Sequence, residues 1–303
     1  MKKDRFIIGT RGSALALAQT KWVAEALKAH WGNACQFELK TITTKGDTLQ
    51  KEASVSNKLD KGLFTKELEL ELEAEQIDIA VHSCKDLPTE ISDKFKLTAF
   101  PKRVCAQDVL ILKEEHSPRT LPRGAQIMTG SPRRIAQWLA AYPDTITLPI
   151  RGNIDTRLKK VFKDPAACGL ILAKAGLERL QPSTEGFNVY PLDYSIMLPA
   201  PGQGALAIEC RDNDGETREC LAVLNDVLTE RQVNAERAFL QAMGGGCLAP
   251  VAAYAQPLYG DGTLRLSGMA MHEGRIWRHN VTGAASEPEV LGQLLAEGLL
   301  SMR

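Results

Sequence analysis

The chain has 303 residues, 44% hydrophobic and 24% charged, with 37 Lys plus Arg against 37 Asp plus Glu. That length suits two or three domains, and zero net charge lacks the basic excess of a nucleic-acid binder. No run of about 18 apolar residues suggests a membrane span, and the apolar run Phe6 to Ile8 is too short for a signal-peptide core, so a cytoplasmic protein is expected.

The first part alternates strand-like and helix-like runs. Phe6 to Gly9 reads as a strand, Ser13 to Lys28 as a helix with Ser13 as N-cap, and Phe37 to Ile42 as a strand. Phe64 to Glu75 reads as a helix with Phe64, Leu68 and Leu72 on one face. Ile77 to Val81 is a buried strand that ends in the polar cluster HSCKD. A second α/β block follows. Its strands are Val109 to Leu112, Ala125 to Thr129, Thr145 to Ile150 and Gly169 to Ala173. Its helices are Pro132 to Ala141, with proline in the first turn, and Ile154 to Phe162. The turn-rich LPAPGQG, Leu198 to Gly204, leads to an apolar strand, Ala205 to Cys210, that could rejoin the first block.

The last part reads differently. Glu216 to Leu228 is expected as one helix. Thr229, with Gln232 three residues on, forms a capping-box pattern for a second that runs to about Met243. Val251 to Ala255, Leu264 to Met271 and Arg275 to Val281 look like antiparallel strands, and Ser286 is the expected cap of a final helix. Seven cysteines without CxxC and five histidines without HxxxH or HxH give neither a disulfide framework nor a zinc spacing.

Four basic clusters sit where predicted strands end: TRGSALAL (Thr10 to Leu17), HSCKD (His82 to Asp86), TGSPRRIAQ (Thr129 to Gln137) and IRGNIDTRL (Ile150 to Leu158). Free N–H groups at a helix start, joined by arginine, make an anion site, and ligands bind at strand C-terminal ends in α/β domains. With no GxxxxGK[ST], and no GxGxxG after a strand, carboxylates are a better guess than a nucleotide. Asp86 reads either as a surface turn residue or as a carboxylate in a basic cleft, able to move a proton or stabilise a cation. His82 and Ser83 lack a G-x-S-x-G elbow, which leaves His82 a structural role, and Cys84 reads as a packed residue. Cys247 follows three glycines, where a helix C-cap needs only one. Its context leaves a nucleophile and a loop cysteine both open.

Taken in order, TRGSALALAQ, KGLFTKELE, DIAVHSCKDLP, GSPRRIAQ, IRGNIDTRL, LAKAGLERL, LPAPGQGALAIE, AERAFL and GGGCLAPVA resemble the porphobilinogen deaminase (hydroxymethylbilane synthase) family over essentially the whole chain. The resemblance implies an α/β fold with two lobes like those of solute-binding proteins, an active cleft between them, and a small C-terminal α/β domain. On this chain the lobes would be 1–101 with 202–217, and 102–201, followed by 218–303. It implies a transferase that condenses four porphobilinogen molecules head to tail into a linear tetrapyrrole, releasing ammonia through a cationic azafulvene. It also implies a dipyrromethane cofactor joined by a thioether to Cys247, with Asp86 as the catalytic acid. Carboxylate-binding positions of the family match Arg11, Arg133, Arg134, Arg151, Arg157 and Arg179. Other cleft positions match Ser13, Gln19, Lys61, Ser83, Lys85, Ser131 and Gln203. Porphobilinogen would be the small-molecule partner of a monomer, with no nucleic acid and no membrane.

The chain departs from the family pattern in two places. Met128-Thr129-Gly130-Ser131-Pro132-Arg133-Arg134 stands where GTSSLRR is usual, and Arg103-Val104-Cys105-Ala106-Gln107-Asp108 where R-x-D-P-R-D is usual. Two further readings stay in play: a non-catalytic polycarboxylate-binding protein and, motivated by these departures, a degenerate paralogue of the same fold.

Overall fold

Phe6 and Ile8, fully buried on one face of a strand, pack against a helix carrying one apolar stripe and build a layered α/β arrangement. The structure, a computed structural model, describes residues 3–43, 65–244, 250–258, 260 and 262–302. The chain divides into two units, Met1–Val104 with Ala205–Val233, and Cys105–Gly204 with Asn234–Arg303.

The first unit opens with β1 (Arg5–Arg11), α1 (Ala14–Trp31), β2 (Gln36–Ile42), α2 (Lys66–Glu73), β3 (Ile79–Ser83) and β4 (Phe95–Ala99). The second begins with β5 (Asp108–Lys113), β6 (Gln126–Met128), α3 (Pro132–Ala141), β7 (Ile146–Leu148), α4 (Ile154–Lys163), β8 (Ala167–Ala173), α5 (Lys174–Leu180) and β9 (Phe187–Pro191). The chain then returns to the first unit with β10 (Leu206–Arg211) and α6 (Gly215–Ala222). α7 (Val227–Ala242) follows, then β11 (Val251–Leu258), β12 (Thr263–His272), β13 (Arg275–Ala284) and α8 (Pro288–Leu300).

The first sheet has the order β2-β1-β3-β10-β4. β1 runs parallel to β2 and β3, whereas β10 pairs antiparallel with β3 and β4. β10 therefore lies between two strands that precede it by more than a hundred residues. One core joins Phe6, Ile8, Ile79, Val81 and Ile208 to Val23 and Leu27 of α1. A second joins Ala80 and Ile77 to Leu68 and Leu72 of α2. Gly9 of β1 permits that second contact, because a Cβ there would lie 2.4 Å from Ile77 Cδ1.

In the second unit one sheet has the order β7-β6-β8-β5-β9, and β11-β12-β13 form a separate antiparallel sheet covered by α8. Every residue of β8 is buried, as expected for a strand covered on both faces. Gly169 is obligatory there, since a Cβ would stand 2.1 Å from the Ile111 carbonyl oxygen.

Two expected helix starts differ. The chain from Glu216 breaks after Ala222, and the next helix begins at Val227, with the Asp226 carboxylate accepting the Thr229 N–H at 2.7 Å. Thr229 is thus inside the first turn, and its hydroxyl accepts the Arg103 N–H at 3.0 Å instead of capping. The final helix starts behind Glu287, not Ser286, with Pro288 in its first turn. No helix among the described residues is long and apolar enough to cross a membrane.

Candidate active site

In the first unit, strand ends and one helix start converge. β1 ends at Arg11, and α1 begins behind Ser13, whose hydroxyl accepts the Ala16 N–H at 3.3 Å. That cap answers one of the free N–H groups at the helix start. One turn on, Gln19 is buried and donates to Ser83 Oγ at 2.9 Å, tying α1 to the end of β3. Beyond Ser83 the chain makes a short 3₁₀ turn, Cys84–Asp86, anchored by the Cys84 N–H to the Ala205 carbonyl at 3.1 Å. Cys84 packs into the core, while Lys85 and Asp86 remain half-buried. Arg11, Ser13, Gln19, Ser83 and Asp86, with Thr65 and His82, line one open pocket of roughly 430 Å³ including its mouth. Five of the expected site residues therefore meet at a single pocket.

Beside this pocket lies a residue that the sequence reading does not single out. Glu209 of β10 is fully buried, and His82 Nε2 lies 2.9 Å from its Oε2. The available signal is a carboxylate inside the apolar run ALAIEC. Glu69 of α2 faces the same pair. Burial raises its carboxyl above the ordinary range, and the negative charge of Glu209 adds to that.

In the second unit the paired arginines meet a carboxylate of the chain itself. Arg133 and Arg134 are both buried on α3 and converge on Asp108 at the start of β5. Arg133 Nη1 donates to Asp108 Oδ2 at 2.7 Å and to the Leu198 carbonyl at 2.6 Å. Arg134 donates to Asp108 Oδ1 through Nε at 3.1 Å and Nη2 at 2.8 Å, and to the Ile171 carbonyl through Nη1 at 2.9 Å. Gln203 Nε2 adds bonds to Asp108 Oδ1 at 3.0 Å and to the Ala106 carbonyl at 2.7 Å. Burial alone would raise the Asp108 carboxyl, but the charges and hydrogen bonds of Arg133 and Arg134 outweigh it and hold it at about 2. A buried carboxylate requires such partners, and these three side chains supply them. In the sequence Asp108 stands only as the retained last acid of the R-x-D-P-R-D stretch, directly before the apolar run of β5.

The remaining arginines of this unit are more open. Arg151 is exposed, and Arg157 is half-buried with its Nε on the Gly152 carbonyl at 2.7 Å. Asn153 caps α4 between them, accepting the Thr156 N–H at 2.9 Å. Arg179 donates to the Gly204 carbonyl at 2.9 Å, and burial lowers it to about 10. Ser131 is half-buried at the start of α3. Its neighbour Gly130 lies against the chain just beyond β7, and a Cβ there would sit 3.1 Å from the Ile150 carbonyl oxygen. A serine in its place would crowd that oxygen. The other departure is satisfied internally: Cys105 Sγ donates to Gln107 Oε1 at 3.4 Å and Gln107 Nε2 to the Leu192 carbonyl at 3.4 Å. Lys61 and Cys247 lie outside the described residues.

Comparison with known proteins gives a consistent result. Residues 6–219 match the family model described as porphobilinogen deaminase, dipyromethane cofactor binding domain, and residues 231–301 match porphobilinogen deaminase, C-terminal domain. The chain is 45% identical over 292 residues to a porphobilinogen deaminase of Geobacillus kaustophilus (strain HTA426), covering 96% of this chain and 92% of that protein. It is 43% identical over 297 residues to one of Exiguobacterium sp. (strain ATCC BAA-1283 / AT1b), covering 98% and 95%. Among solved structures, the BenM effector binding domain with benzoate is similar at 12% identity and a TM-score of 0.40, over 71% of this chain and 90% of that one.

Proposed function

The chain belongs to the porphobilinogen deaminase family, enzymes of porphyrin and haem biosynthesis that carry a dipyrromethane cofactor. From that premise we propose that it is a transferase joining four porphobilinogen molecules head to tail into hydroxymethylbilane with release of ammonia. Attachment of the dipyrromethane is assigned to Cys247 through a thioether. When bound, that group supplies a fixed pyrrole primer, so the lengthening product stays on the protein between additions.

The observation that carries the reading is the pocket of the first unit, where a half-buried Asp86 shares a wall with Arg11, Ser13, Gln19 and Ser83. These residues suit a pyrrole bearing acetate and propionate. Arg11 and the first turn of α1 offer donors to carboxylates. Asp86 offers an acceptor to a pyrrole N–H, a proton to a departing amine, and a negative charge near the cation its departure leaves. Lys61, Lys85, Ser131, Arg151, Arg157 and Arg179 are assigned to the remaining carboxylates. Arg133, Arg134 and Gln203 serve binding at one remove, by fixing the start of α3 on Asp108. The same proposal includes a cytoplasmic monomer of three domains, 1–101 with 202–217, 102–201, and 218–303.

Intact-mass spectrometry tests this. Protein purified from a porphobilinogen-producing cell is expected to be heavier than its sequence by one dipyrromethane, and Cys247→Ser is expected to abolish the increment. A wild type without that increment refutes the reading. A protein that keeps it but releases no hydroxymethylbilane is the degenerate paralogue. One that binds porphobilinogen reversibly with neither is the polycarboxylate-binding protein.

A further inference from the structure

Glu209 is a carboxylate without exposure inside the apolar run Leu206–Cys210 of β10, and sheet formation does not require it. A leucine would fill such a position with less electrostatic cost. The pairing register explains the partner it has. Ala207 stands opposite His82, and Glu209 opposite Ala80, on antiparallel β10 and β3. Residues opposite and two apart stand on the same face. Glu209 and His82 therefore project together to the face covered by α2, which brings His82 Nε2 within 2.9 Å of Glu209 Oε2. The second oxygen, Oε1, is buried and has no hydrogen-bond partner among the described residues. Glu69 on α2, itself raised by burial and then by the Glu209 charge, with His82 and Lys66 opposing, adds a second acid to that face.

The histidine in turn lines the pocket that holds Ser83 and Asp86. A carboxylate only accepts, so a bond to Nε2 decides which ring nitrogen carries the hydrogen and locks the ring plane. We propose that Glu209 is a positioning residue for the candidate active site, acting through His82, a pocket-lining residue four positions before Asp86. This rests on the reading of that pocket as the place of porphobilinogen chemistry. Glu209 does not touch the reacting atoms, so its loss acts on turnover more than on affinity.

The test compares Glu209→Leu, Glu209→Gln, His82→Leu and the Glu209→Leu/His82→Leu double variant, each as cofactor-bearing protein checked by intact mass. Glu209→Leu is expected to lower kcat about tenfold with KM little changed, and Glu209→Gln, which keeps an acceptor for Nε2–H, to restore most of the loss. In the His82→Leu background, Glu209→Leu is expected to add nothing, because its route is already gone. An unchanged kcat in Glu209→Leu, or the same further loss with and without His82, overturns the proposal. If the leucine variant does not fold, ¹⁵N histidine spectra of wild type and Glu209→Gln decide. The proposal requires His82 of the wild type to carry its hydrogen on Nε2, and a ring protonated on Nδ1 alone refutes it. A wild type that consumes no porphobilinogen refutes the functional reading instead, and the histidine spectrum still judges the pair.

Discussion

Replacing Asp108 with asparagine would remove the negative charge that answers Arg133 and Arg134 inside the second unit. The carboxylate is fully buried and receives N–H groups from Arg133 Nη1 (2.7 Å), Arg134 Nη2 (2.8 Å), Arg134 Nε (3.1 Å) and Gln203 Nε2 (3.0 Å). An amide of the same size accepts through one oxygen and turns its own N–H groups toward the guanidiniums. Breaking a buried ion cluster from one side costs about 3–5 kcal/mol. The acid response gives a second figure. Asp108 sits at about 2 in the folded chain against 3.8 for an ordinary aspartate. That difference is worth about 2 kcal/mol. Because the folded value is the lower one, the contribution is complete well above 3.8 and is lost as pH falls through 2. At pH 3 about half of it is gone. Urea unfolding at pH 7 is therefore expected to find Asp108→Asn about 3–5 kcal/mol less stable than wild type, with the gap narrowing by about 1 kcal/mol at pH 3. A gap under about 1 kcal/mol at pH 7, or one that does not change with pH, would refute charge as the force that holds these arginines.

Other outcomes follow from the same geometry. Asp86→Asn is expected to cut porphobilinogen turnover by about a hundredfold or more while leaving the melting temperature nearly unchanged, since the side chain is only half-buried; a turnover loss matched by a loss of folding would remove Asp86 from catalysis. Gly169→Ala puts a Cβ against the Ile111 carbonyl and forces β8 from β5, with an expected cost of about 3 kcal/mol or more by thermal melting. Cys220, pushed up to about 12 by burial first and by nearby Cys35 second, is expected to resist iodoacetamide at pH 8. Cys105, the half-exposed thiol among the described cysteines, should be alkylated first in peptide mass maps.

How far the fold can be read from the sequence depends on how much of each strand is covered. β1, β3, β8 and β10 announce themselves as apolar runs because sheet or helix packs on both faces. β4 and β9 do not. Phe95–Ala99 buries only its two ends, and Phe187–Pro191 lies at a sheet edge with no buried residue, so neither shows a clean alternation. α5 has seven residues, too few for a helical period to repeat. The capping pattern at Thr229 misleads for a different reason. Asp226 supplies the same kind of oxygen three residues earlier, and the threonine hydroxyl is drawn to the Arg103 N–H across 126 residues. Local pattern cannot rank two caps when the deciding partner is remote.

The same limit governs the arginines, and it changes what their number means. In the sequence, Arg11, Arg133, Arg134 and Arg151 look alike: each stands within three residues of a glycine or serine where a strand ends and a helix begins. Folding separates them by what lies opposite. Arg133 and Arg134 start a helix whose first turn rests on β5, so they meet Asp108 and become part of the interior. Arg211 is likewise taken, by Asp78 and Asp214 at 2.9 Å each. Arg151 stays exposed, and Arg11 opens on the pocket with Asp86. A cluster of cations at helix starts therefore identifies anion-binding chemistry only after each guanidinium has been checked for an acidic residue in the neighbouring strand. For this chain Arg133 and Arg134 are held by Asp108, whereas Arg11 lines the pocket at the TRGS and HSCKD junctions of the first unit. There the helix-start N–H groups, Arg11 and a half-buried carboxylate stand at one opening.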